Sequence, residues 1–169
     1  LSFGFEGISS ASVRAAVMDK VLTWLKGGRR RPTSNAVFFD DFESSQGWMR
    51  DPTYSDTATM GVWQRDHPEL TTYEGMTYQV GEAFSGDRAL VTGAQAGTDL
   101  GSYDLDGGVT TARSPSIILP DVEGLTLSFK YYFAHYENSS DEDYLRVKVV
   151  GETTEVVLEA LGSPDRDQA

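Results

Sequence analysis

A mainly β fold, with two packed sheets behind a short N-terminal strand–helix piece, follows from three features of the 169-residue sequence. First, Leu125, Leu127, Phe129, Tyr131 and Phe133 alternate with Thr126, Ser128, Lys130 and Tyr132. A period of two sends these sets to opposite faces of a strand. Second, five large apolar groups on one face call for a second apolar layer, hence sheet on sheet. Third, from Val37 onward short β-prone runs are separated by loops rich in Gly, Pro, Asp and Ser, with no helical periodicity.

Residues 1–28 stand apart. LSFGFEGI reads as a strand, and Ser9 or Ser10 can cap the helix after it. Val13, Val17, Val21 and Trp24 recur at helical spacing, and Gly27 and Gly28 end the run. A lone strand and helix cannot bury that stripe, so the piece is expected to close a preceding domain. Residues 29–36, RRRPTSNA, have the composition of a linker. Residues 37–169 are then the β-sandwich.

Within the sandwich, VFFDDFES at 37–44 is expected as the first strand, and GVWQR at 61–65 as the second, with MRDPTYSDTAT between them as loop. Strands follow at 76–80 and 89–92, the latter after the turn SGDR at 85–88. A Gly- and Asp-rich loop at 95–105 leads to a run at 109–119 that stops at Pro120. The central strand 125–135 is expected to pair with 144–150 across the seven-residue loop ENSSDED, and 153–161 is a last strand.

Composition narrows the functional classes. The net charge is −12, and residues 1–36 hold six basic against two acidic side chains, leaving −16 for the remainder. So acidic a domain excludes nucleic acid, whose phosphates need a basic face. No run reaches the ~18 apolar residues of a membrane span. With no cysteine, disulfides and thiolate metal sites are out. The two histidines, His67 in DHPE and His135 in AHYE, lie outside any zinc-peptidase frame, and no GxSxG elbow occurs. The chain is therefore expected not to be an enzyme.

Calcium is the chemistry the acids suit best, since it takes six to eight oxygens from carboxylates and carbonyls on loops. Asp41 and Glu43 lie two apart, so on a strand they would share a face. Asp104 and Asp106, in DLDG, resemble part of a calcium loop.

FFDDFESSQGW, GVWQRDHPE, SGDRALVTG, YDLDGGVTTARSPSIILP, LTLSFKYYFAH and DYLRVKVVG, in that order, resemble the jelly-roll modules that follow catalytic domains in bacterial secreted peptidases such as zinc carboxypeptidases. Similar sandwiches include MAM-type and carbohydrate-binding modules. The resemblance implies a non-catalytic accessory module of an extracellular protein. Structural calcium in such sandwiches sits between a first-strand acid, the turn before a G-x-x-A-L strand and a last-strand acid. Asp41 or Glu43 and Asp87 match the first two. Such modules also continue beyond Leu161 with a further strand pair, so the sandwich is expected to lack its last strands. Its partners would be the preceding domain, a protein or carbohydrate surface, or another copy of the chain pairing at an open sheet edge.

Overall fold

The computed structural model describes residues 35–97 and 99–163. The expected strand–helix piece at 1–28 lies outside the described residues. The described part is mainly β with no helix: β1 (Met49–Arg50), β2 (Trp63–Asp66), β3 (Thr71–Tyr73), β4 (Met76–Gln79), β5 (Ala89–Thr92), β6 (Ala112–Arg113), β7 (Tyr144–Val150) and β8 (Thr154–Leu161). They form four two-stranded antiparallel ladders, β1–β6, β2–β5, β3–β4 and β7–β8.

The β2–β5 ladder runs from Trp63 opposite Thr92 to Asp66 opposite Ala89. The expected strand at 89–92 is therefore present, and that at 61–65 begins two residues later. At Glu74-Gly75, φ is 48° and 85°. This left-handed pair turns β3 into β4, so the strand expected at 76–80 gains a partner that was not expected.

The loop expected at 49–59 is stitched to the chain 50 residues on. Beyond β1, Asp51 N donates to Thr111 O, Thr57 and Ala58 N to Val109 O, and Thr59 N to Asp106 O. Gly107 and Gly108, at φ 79° and 138°, let the two segments approach, because a Cβ on either would strike Thr59 or Thr57. Their close packing is one structural use of the DGG run.

Two expected strands are corrected. Residues 37–44 form turns: Asp40 Oδ1 accepts from Phe42 N at 2.7 Å, and Asp41 Oδ1 from Glu43 N at 3.2 Å. These short-range bonds compete with a ladder and hold Phe42 at φ 61°. The second correction concerns 125–134, which joins none of the described ladders. β7 pairs instead with β8, from Tyr144 opposite Leu161 to Val150 opposite Thr154. A hairpin neighbour over Gly151–Thr153 is the nearer partner, and loop closure favours it.

Most of the apolar set of 125–134 is also left exposed rather than covered by a second layer. Lys130 Nζ sits 5.2 Å over the Phe84 ring, and the Tyr132 hydroxyl donates to Thr77 O at 2.5 Å. Lys130 and Tyr132 thus tether the stretch, while Leu125, Leu127, Phe129 and Tyr131 stay 45, 61, 43 and 48 % exposed and Phe133 is half-buried with its ring 5.8 Å from that of His135. Among the described residues the buried apolar side chains are the small ones of Ala94 and Pro68. The deep core expected beneath this stretch is not formed by them.

Candidate functional site

The best-connected acidic site lies where β2 ends and β5 begins. Gly86, at φ 73°, gives the turn before β5 its shape, and the Glu43 carboxylate occupies the place a Cβ would take there. Glu43 Oε1 accepts from Asp87 N at 2.7 Å and Arg88 N at 2.8 Å. Two amides converging on one carboxylate oxygen form an anion nest, here filled from within the chain. Arg88 Nη1 reaches Asp66 Oδ1 at 3.0 Å, and the same oxygen accepts from His67 N. His67 Nδ1 lies 2.9 Å from Asp87 O and 3.1 Å from Asp87 Oδ1. With side-chain exposures of 47 and 71 %, His67 and Asp87 sit in water, so their pairing is weak.

The structure thus brings Glu43 to Asp87 across 44 residues, as the calcium reading requires. Asp41 is not turned toward them; its Oδ1 is bonded to Glu43 N. The donor set does not fit a calcium ion as arranged. Glu43 Oε1 already takes two N–H groups, both Asp87 oxygens named above face His67, and six or more oxygens are needed. Among the described residues no three acids or histidines are grouped as metal ligands.

Asp104 and Asp106 belong to a different loop. Asp106 lies in a bridge opposite Met60, and its carbonyl accepts from Thr59. Partial burial, and then the nearby Asp106 charge, raise the Asp104 carboxyl above its ordinary value. The two acids repel each other.

The same use of carboxylates recurs along the chain. Asp51 Oδ1 accepts from Ser55 N and Asp56 N, Asp56 Oδ2 from Thr111 N at 2.6 Å, and Glu69 Oε2 from Ala96 N. Asp143 Oδ2 accepts from Ser140 N. Each acid holds a loop by its backbone.

One node was not foreseen. Ser139 Oγ lies 2.7 Å from His135 Nδ1, donates to Ser163 O and accepts from Ser163 N, both at 3.2 Å. Next to it, Gly162 N donates to Asp143 O at 2.7 Å. The loop before β7 is thereby tied to the end of β8. A serine beside a histidine suggests a nucleophile, but both are only 8 % exposed. Their bonds tie the loop to Ser163, so within the fold the pair acts as a clasp. Its signal in the sequence was slight: a histidine and a serine four apart flanking a polar loop.

No family model, curated protein or solved structure matches this chain.

Proposed function

We propose that the chain is a non-catalytic accessory module, of jelly-roll type, in a larger secreted bacterial protein whose catalytic part is a peptidase. The observation that carries this reading is the way Glu43 closes on the amides of Asp87 and Arg88. A carboxylate committed to two backbone donors is a scaffold element; a general acid or base must be open to substrate. The order of motifs from FFDDFES to DYLRVKVVG supports the setting. The test is an assay of the purified chain on chromogenic peptide, ester and glycoside substrates. No turnover is expected. Turnover that disappears in Ser139→Ala or His135→Ala would contradict the reading.

Structural calcium at Glu43 and Asp87 remains tied to this proposal through their shared corner. It requires the His67 contact to open and further oxygens to be supplied. Thermal melts with millimolar calcium and with chelator decide it: a rise in Tm with calcium that Glu43→Gln abolishes supports the metal, and superimposable curves exclude it.

A second reading, assembly through an open sheet edge, is favoured by the exposed apolar residues of 125–134. Under it, sedimentation shows a concentration-dependent dimer that Leu127→Glu dissolves. A monomer at all concentrations counts against it.

A further inference from the structure

A cleft of about 100 Å³ opens between the turn at 42–50 and the β2–β5 ladder. Phe42, Trp48, Trp63 and Leu90 supply its apolar wall, and Arg50 and Arg65 its charge. In a chain with 26 acidic and 14 basic side chains, no Asp or Glu among the described residues lines this cleft. Both indole N–H groups are used inside the protein, Trp48 Nε1 on Asp40 Oδ2 at 2.8 Å and Trp63 Nε1 on Thr110 O at 3.0 Å. What the tryptophans can offer a ligand is ring carbon.

The arginines are differently placed. Arg65 Nη1 donates to Phe42 O at 2.9 Å, which fixes its guanidinium at the wall. Arg50 is exposed. Ion pairs among the described residues are made by His67, Arg88 and Arg146, and neither cleft arginine joins one. Guanidinium groups that join no described ion pair, set beside aromatic carbon, suit an anion with an apolar body.

Size selects among such ligands. At ~30 Å³ per water the cleft has room for about three waters. Pockets for small molecules and cofactors run to about 300–1,000 Å³. One amino-acid side chain fits this volume better than a sugar ring.

We propose that this cleft seats one aromatic or aliphatic side chain of an acidic peptide, with flanking carboxylates on Arg50 and Arg65. The proposal deepens the accessory-module reading by naming a ligand class, and it is independent of calcium. Aromatic and Arg groups at the centre of a contact carry most of its energy. The charge pairing makes binding sensitive to salt.

The experiment follows the indole N–H NMR signals of Trp48 and Trp63 in the full chain. The probes are acetyl-Glu-Phe-Glu-amide, acetyl-Lys-Phe-Lys-amide and glucuronate. The acidic peptide is expected to shift both signals, with affinity falling about fivefold or more between ~50 mM and ~500 mM salt. Arg50→Gln is expected to weaken it about fivefold, in line with one exposed charge pair of up to ~1 kcal/mol. Because Arg50 contributes to the β1–β6 ladder through its backbone, which the substitution keeps, that variant should keep the parent spectrum. Arg50→Glu should shift preference toward the lysine peptide. Equal binding of the two peptides, saturation by glucuronate in preference, indifference to Arg50→Gln, or no shift at all would overturn the proposal. Such a result, without turnover in the substrate assays, would leave the accessory-module reading intact.

Discussion

The hairpin β7–β8 and the stretch 125–134 carry similar patterns and meet different ends. In β7, Leu145 and Val147 are half-buried between exposed Tyr144, Arg146 and Lys148. In 125–134 the alternation is longer and its side chains larger, yet no described ladder includes it. Alternation states which side chains share a face; it does not state whether a partner strand is at hand. β7 has one three residues away, while 125–134 is tethered through Lys130 and Tyr132 instead. That tether leaves Leu125, Leu127, Phe129 and Tyr131 exposed.

Ways to break this contrast begin with the clasp that holds the hairpin to the preceding loop. Ser139→Ala strips partners from Ser163 N and the buried His135 ring. It should lower stability by about 0.5–1.5 kcal/mol, the usual net worth of a lost hydrogen bond, in urea unfolding. A change within error would mean that the clasp does not hold the hairpin.

The next test compares equal truncations. Leu158 is half-buried opposite Val147, whereas Leu127 is 61 % exposed. Leu158→Ala should cost about 1–2 kcal/mol, below the range for full burial. Leu127→Ala should stay within about 0.5 kcal/mol, as exposed substitutions do. Equal losses would show that 125–134 is packed in solution.

Glu43→Gln sharpens the contrast from the other half of the chain. The amide side chain keeps one acceptor oxygen but loses its charge, and the site is exposed, so about 1 kcal/mol or less is expected. Denaturant curves would read it, and a gain in stability would argue against the clamp. Smallest is Arg146→Ala. The guanidinium pairs with Glu159 across the hairpin and lies 4.4 Å over the Tyr144 ring. Exposed pairs of this kind contribute about 0.2–1 kcal/mol, and high salt should shrink the difference between variant and parent.

What the sequence made legible follows the same division. Local signals were dependable: the runs at 89–92, 144–150 and 154–161 are strands, and the turn at Gly86 lies where Ser85–Arg88 placed it. Apolar and β-branched residues with a turn nearby suffice for such elements. The run VFFDDFES misled because Asp40 and Asp41 can bond the amides two residues on, an option hidden from a pattern of apolar spacing. Glu43 and Asp87 could be named as neighbours only through the resemblance to known modules. That Glu43 would turn its carboxylate to the amides of the turn depends on the left-handed Gly86, a matter of backbone geometry. The clasp at Ser139 joins residues 24 apart through one hydroxyl, and no composition or period announces such a bond.

Backbone pairing, not side-chain alternation, separates these two regions. Amide hydrogen exchange at low protein concentration tests it directly. Amides inside the β7–β8 ladder should exchange slowly, in keeping with a cooperative unit, and those of 125–134 orders of magnitude faster. Equally slow exchange across 125–134 in the monomer would contradict the account.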